Sequence, residues 1–293
     1  MGSLLVAVKA KMAIHAHEKV RGLLEGEYGS VFKGRSMDFD DLREYIPGDD
    51  IKDIDWKATA RSGSTRIRRY IAVRKHNILL VVDTGRNMSA TSESGDNKRD
   101  VTVMTAGAMS YIALKHGDLI GMVSGDNQHT NYFPFKGDNA HVEHILQHLN
   151  KQIQSSDSPG DITTQIEYIT KTMRRKMMIV VISDDSQPSD RYEKSLRRLR
   201  AQHEILWITI GDASGLSLDN EFYDIDNQAI FPESIKNDSA LQSAFKSWQR
   251  SYINERSKSL ERMGIVEQRI TGDYDVVQNL FKLLERQKHA KRS

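Results

Sequence analysis

Ile78-Leu79-Leu80-Val81-Val82-Asp83 is the stretch on which the reading of the chain turns. Its apolar residues follow one another without alternation and stop at an acid. A strand with one wet face would alternate apolar with polar; an unbroken run of this length reads as a strand covered on both faces, as in a parallel sheet. Working outward, the same rhythm returns. Residues 100–115 read as a helix in which Ala106, Gly107 and Ala108 permit close packing, and 119–123 as the next strand. Gly125-Asp126-Asn127 is a hairpin turn by composition, so the strand at 129–135 runs antiparallel. Helices at 138–151 and 163–174, a strand at 177–182, a helix at 189–202 and a strand at 205–210 follow. A long helix at 238–263, a short strand at 266–270 and a last helix at 274–287 complete the series. Strands alternating with helices predict an α/β fold, a doubly wound and mostly parallel sheet with one antiparallel hairpin strand.

Residues 1–75 lack this rhythm. Residues 1–25 have room for a short helix, and 26–40 are rich in Gly, Ser and charge, as loops or short strands are. Two units are therefore expected: an N-terminal β/loop arm over 1–75 and the α/β domain over 76–293, long helix included.

Composition removes several function classes. The 293-residue chain has 42 Lys+Arg against 40 Asp+Glu, a net charge of +2, which argues against a generally basic nucleic-acid binder. The absence of cysteine excludes disulfide scaffolds, thiolate zinc sites, iron–sulfur clusters and cysteine nucleophiles. No apolar run approaches the ~20 residues that span a bilayer, and a cytoplasmic protein is the expectation.

In a doubly wound sheet, ligands bind beyond the carboxyl ends of the strands, where the strand order reverses. Asp83, Asp184 and Asp212 each stand at a strand end. In Asp83-Thr84-Gly85-Arg86-Asn87-Met88-Ser89 an acid leads into a turn of small and polar residues, and Thr163 opens a later helix. Hard oxygens from several loops around one crevice suit Mg²⁺ or Mn²⁺. The competing reading is that these acids cap turns and helix N-termini.

Ahead of the sheet lies Leu42-Arg43-Glu44-Tyr45-Ile46-Pro47-Gly48-Asp49-Asp50-Ile51-Lys52-Asp53-Ile54-Asp55-Trp56-Lys57-Ala58-Thr59-Ala60-Arg61. This segment resembles the signature of the bacterial domain-of-unknown-function fifty-eight family, which precedes a von Willebrand factor A-like (vWA) domain. The resemblance runs from about Gly29 to the final helix. It implies a vWA-type sheet and a non-catalytic adaptor or protein-interaction module working with a MoxR-type AAA+ ATPase or its client. It also implies a metal-dependent adhesion site of pattern Asp-x-Ser-x-Ser, then Thr, then Asp. Asp83 matches the first position, Gly85 and Asn87 stand where the serines would be, and Thr163 (or, in the alternative register, Thr164) and Asp184 match the last two. Gly85 offers no side-chain oxygen and Asn87 an amide oxygen, so the site is degenerate, with Asp83, Asn87, Thr163 and Asp184 as expected ligands of Mg²⁺ or Mn²⁺. A partner carboxylate would complete the coordination.

Within the signature, Pro47-Gly48-Asp49-Asp50 reads as a turn. Trp56 is expected to bury against the sheet domain, and Arg61 to pair with one of the acids. Asp49, Asp50 and Asp55 are open between a structural and a partner-binding role. The Arg66–Lys75 strip could bind phosphate or nucleic acid, but the adjacent acidic block favours internal neutralisation, so nucleic acid is not the expected partner. His141, His144 and His148 fall on one helix face that is expected to be solvated rather than to hold zinc. Leu241, Phe245, Trp248 and Tyr252 recur at helical spacing and are expected in the core. The enzymatic alternative is a metal-dependent phosphohydrolase using the strand-end acids. Gly85 stands where the haloacid dehalogenase pattern needs its second acid, and neither a nucleophile elbow nor a P-loop occurs.

Overall fold

The computed structural model describes residues 2–15, 18–33, 41–48, 51, 54–69, 75–185, 191–213, 223–224, 229–230, 235 and 237–290. Helices α1 (Leu4–His15) and α2 (Glu18–Lys33) come first. The signature segment follows as strand β1 (Asp41–Glu44), helix α3 (Trp56–Ser62) and strand β2 (Arg66–Arg69). Then come β3 (Asn77–Asp83), α4 (Lys98–Lys115), β4 (Leu119–Gly125), β5 (Thr130–Lys136), α5 (Asn139–Gln154), α6 (Ile162–Thr172) and β6 (Met178–Ser183). The chain continues through α7 (Tyr192–Gln202), β7 (Glu204–Ile210), the short pair β8 (Tyr223–Asp224) and β9 (Ala229–Ile230), α8 (Ser239–Arg262), β10 (Val266–Ile270) and α9 (Val276–Ala290).

Six strands form the main sheet in the order β10-β7-β6-β3-β4-β5. All neighbours are parallel except β4 and β5, the hairpin pair. The doubly wound sheet with one antiparallel strand is thus as the sequence reads. The quoted run is its central strand, β3, where every residue from Ile78 to Asp83 is buried. Period-two alternation divides that run between two cores. Ile78, Leu80 and Val82 join one with α4, α5 and α9; Leu79 and Val81 join the other with α6, α7 and Leu260 of α8. At ~1.5–3 kcal/mol for each fully buried aliphatic side chain, burial rather than strand propensity fixes this element.

On the first face a second helical layer covers the first. Leu5, Val8 and Met12 of α1, and Leu24, Tyr28 and Val31 of α2, lie in the same core cluster as α4, α5 and α9. Gly107 of α4 makes this possible, since a Cβ there would stand 2.7 Å from a methyl of Val8. Tyr28 donates its hydroxyl to Asp118 Oδ2 at 2.7 Å in the interior. Helices α1 and α2 therefore join the packing of the sheet domain, and residues 26–33, expected as loop or strand, lie in α2. Among the described residues, the rest of the arm is the β1–β2 antiparallel pair with α3, stitched by the Ile54–Ile67 bridge.

Three expectations about side chains are overturned. Trp56 is 66% exposed at the start of α3 rather than buried on the sheet. Of the residues of α8, only Leu260 is buried, and Trp248 is 61% exposed; its ring stacks on Tyr252 at 5.9 Å within the same helix. The expected histidine face is also not uniformly wet. His141 is buried with Nε2 3.1 Å from the Ile120 carbonyl oxygen, while His144 and His148 lie against Phe133. Periodicity finds a helical face, but it does not say what covers that face.

Candidate functional site

The strand order reverses between the parallel neighbours β3 and β6: β3 is followed outward by β4, and β6 outward on the other side by β7. Asp83 closes β3 and Asp184 follows β6, so the two acids flank this switch point. Asp83 Oδ1 accepts from the Gly85 N–H at 2.8 Å. That bond folds the chain into the 3₁₀ turn Arg86–Ser89, which carries Asn87. Asn87 donates from Nδ2 to Asp184 Oδ2 at 2.5 Å. Asp83, Asn87 and Asp184 are all buried. Thr163 is buried in the first turn of α6, where the N-cap Asp161 accepts from its N–H at 3.0 Å.

The loop before α6 closes over this cluster. Arg86 N–H donates to the Ser158 carbonyl at 2.9 Å and Asn127 N–H to the Pro159 carbonyl at 3.1 Å. These bonds bring Gly160 down on the acids. A Cβ on Gly160 would stand 2.4 and 2.8 Å from the two carboxylate oxygens of Asp83 and 2.6 Å from Asn87 Oδ1. Gly85 faces Gly160 just as closely: a Cβ there would lie 2.3 Å from both its Cα and its N. Both glycines are needed for close approach of backbone to backbone, not for an unusual φ.

The charge at the centre comes from a residue the pattern did not include. Lys98, in the first turn of α4, is fully buried and donates from Nζ to Asp184 Oδ2 at 3.0 Å and to Asp212 Oδ1. Taking an ammonium out of water costs several kcal/mol, which only close carboxylates offset. Here Asp184 and Asp212 outweigh the burial that would neutralise the lysine, and its pKa is raised. Asp83 is pushed up to about 7, first by burial and then by the negative charge of Asp184, against the Gly85 N–H, Asn87 and Lys98. Burial likewise raises Asp212, with Asp184 and Asp185 adding to it against the pull of Lys98.

Around this centre runs an ion-pair network. Arg269 bridges Asp185 at 2.5 Å and Glu93 at 2.9 Å. Arg256 bridges Glu267 at 2.9 Å and donates to the Asp184 carbonyl at 2.8 Å. Arg256 of α8 is thereby tied to Glu267 in β10 and to the backbone just past β6, while Arg269 of β10 holds Asp185.

The donor set does not fit a resident divalent cation. Asp184 Oδ2 already accepts from both Lys98 and Asn87. The Asp83 carboxylate lies under the Gly160 backbone. Position 85 has no side-chain oxygen and no room for one. Among the described residues, no three His, Asp or Glu side chains converge in a ligating arrangement.

The signature residues sort differently. Asp55 is the N-cap of α3, accepting from the N–H groups of Lys57 and Ala58 at 3.0 Å each. Arg61 is exposed in the last turn of α3, where a cation suits the negative helix end. Asp49 and Asp50 lie outside the described residues. Of the basic strip, Arg66 approaches Glu44 at 3.8 Å, the internal neutralisation expected of it. Lys98 was the residue sequence reasoning missed. Its signal is a lysine in the first turn of a helix, at the positive end of the dipole, a place that favours acids unless carboxylates stand nearby.

The sheet order, its one antiparallel strand and the acids at its switch point are those of a doubly wound α/β domain. The chain belongs to the family described as "Protein of unknown function DUF58", whose model matches residues 41–251. The uncharacterized protein Rv1480 of Mycobacterium tuberculosis is 28% identical over 218 residues, 73% of this chain and 67% of the relative. YeaD of Bacillus subtilis, also uncharacterized, is 30% identical over 108 residues, 37% of this chain and 25% of the relative. Among solved structures, an aerotolerance-related membrane protein from Bacteroides fragilis overlaps with 10% identity and a TM-score of 0.46, covering 72% of this chain and 99% of that one. A von Willebrand factor type A protein from Catenulispora acidiphila overlaps with 7% identity and a TM-score of 0.40, over 76% of this chain and 44% of that one. No helix among the described residues is long and apolar enough to cross a membrane.

Proposed function

We propose that the protein is a non-catalytic adaptor of vWA type that docks an AAA+ ATPase of the MoxR class, or that ATPase's client, through the apolar residues of its signature arm. One observation carries this reading. Ile46, Ile51 and Trp56 are 60%, 65% and 66% exposed, within a segment in which Asp55 caps α3. Large aromatic and aliphatic residues set outward in a small, separately stitched unit are what a protein partner buries, and tryptophan is the residue most enriched at the energetic centre of such contacts. The partner class comes from the family resemblance.

A phosphohydrolase finds less support. Its nucleophile would be Asp83, whose carboxylate is covered by Gly160 and bonded to the Gly85 N–H. Attack on a phosphoryl group needs an open approach of about 3 Å.

The test is capture of a purified MoxR-class ATPase by immobilised full-length protein, comparing wild type with Trp56→Ala, Ile51→Ala and Asp83→Asn. Loss in the two arm variants and retention in Asp83→Asn is the expected result. Capture that survives both arm changes and fails in Asp83→Asn would move the docking site to the crevice. Phosphatase activity abolished by Asp83→Asn would replace the adaptor with an enzyme.

A further inference from the structure

We propose that the Lys98 ammonium is the resident cation of the switch-point crevice, occupying by covalent attachment the role that a divalent ion plays in a metal-dependent adhesion site, and that the crevice therefore takes no divalent ion. The inference does not depend on the partner. It rests on four placements. Lys98 is fully buried, and its Nζ reaches Asp184 at 3.0 Å and Asp212 as well. Asp184 and Asn87, both expected cation ligands, are bonded to each other at 2.5 Å. Gly160 lies against both oxygens of Asp83. Gly85, the position of an absent ligand, is sealed against Gly160. An ammonium has three donors and no need of an octahedral shell, so carboxylates that approach from two sides satisfy it; Mg²⁺ demands near-ideal geometry at ~2.0–2.1 Å and retains waters, for which this sealed cluster has no place.

The consequence is a vWA-type domain whose crevice is permanently charged and permanently closed. A partner would meet it in the same state whatever the supply of divalent ions. Removing the ammonium would leave its two partners, Asp184 and Asp212, facing the vacated volume, where an added cation could replace it.

The test uses the full chain and Mn²⁺ as probe. Paramagnetic resonance of free Mn²⁺ is titrated against wild type and Lys98→Ala, and thermal unfolding is followed with and without the ion. Wild type is expected to leave the Mn²⁺ signal and the melting temperature unchanged. Lys98→Ala is expected to melt roughly 10 °C lower, because breaking a buried pair strands its carboxylates. It should also bind Mn²⁺, regain part of the loss, and fail to do so once Asp184→Asn is added. Wild-type binding of Mn²⁺ that Asp83→Asn abolishes would overturn the proposal, as would a Lys98→Ala chain that melts with wild type or gains nothing from the ion. If Lys98→Ala does not fold, Lys98→Met fills the same volume without the charge, and its melting temperature beside the wild-type titration decides.

Discussion

Gly85→Ser separates the two readings of the crevice most directly. The adhesion-site pattern wants a serine there, and on that view the substitution supplies a missing ligand and makes Mg²⁺ stabilising. The structure requires the reverse. A Cβ at residue 85 would lie 2.3 Å from Gly160 Cα, 2.3 Å from Gly160 N and 2.6 Å from Asn87 Oδ1. The obstacle is backbone, held down by the Arg86–Ser158 and Asn127–Pro159 hydrogen bonds, so it cannot move aside as a side-chain tip would. Overpacking a filled interior costs ~1–3 kcal/mol, and contact with a tied backbone puts this case at the upper end, about 3 kcal/mol. With a urea dependence of about 3 kcal/mol per molar, the unfolding midpoint should fall by about 1 M. Gly85→Ala should lose nearly as much, since the Cβ rather than the hydroxyl makes the clash. Urea titrations of wild type and both variants, each with and without millimolar MgCl₂, make the comparison. A Gly85→Ser chain as stable as wild type, or one stabilised selectively by Mg²⁺, would refute the closed crevice.

Other positions give independent checks. Gly22 and Gly26 lie within α2 with nothing within 4 Å of a built Cβ, so Gly22→Ala and Gly26→Ala should each add ~0.5–1 kcal/mol in the same urea assay. Tyr28→Phe removes the donor to Asp118 Oδ2 and should cost ~1.5–3 kcal/mol, the range for a buried bond to a charged group; Asp118 Oδ1 keeps the His76 N–H at 2.8 Å, so the lower half is expected. His203 is buried, and burial lowers its pKa below the ordinary 6.5. The unfolded chain then binds the proton more readily, so this histidine's contribution to stability is full above pH 6.5 and is lost as pH falls through its folded midpoint. Ring-resonance titration by NMR should find that midpoint below 6.5, and a midpoint at or above 6.5 would contradict the burial argument.

Much of the fold could be read from the chain because buried parallel strands write themselves as unbroken apolar runs. Ile78–Val82, the run ending at Ile182 and the run ending at Ile210 each proved to be a sheet strand with its following acid at the carboxyl end. The meeting of Asp83 with Asp184 followed from the same logic, since strand order alone places them on either side of the reversal. The content of the crevice did not follow. Lys98 is separated from Asp184 by 86 residues, and a lysine reads as surface until its partners are known. The helix α2 was hidden by Gly22, Gly26 and Gly29, which local propensity counts against a helix and which packing on α9 overrides. Trp56 and Trp248 show the converse error. Their size favoured burial, but nothing in their neighbours fixes which face of a short helix, or which half of a long one, meets the core.

The clasp between the first and last helices bears on how the chain comes to be folded. Helix α2 packs on α9, with Lys288 paired to Glu27 at 3.1 Å, and α1 reaches the start of the last helical segment through Lys11 and Asp273 at 2.5 Å. These partners are 261 and 262 residues apart. During synthesis at ~5–20 residues per second, the apolar side of α2 would wait of the order of ten seconds or more for α9 to be made. Closing so long a loop costs little more free energy than closing one of half the length, because the entropy grows only with the logarithm. The burden is therefore kinetic. The side of α2 that packs on α9 stays open to solvent, or to a chaperone, until α9 is made to cover it.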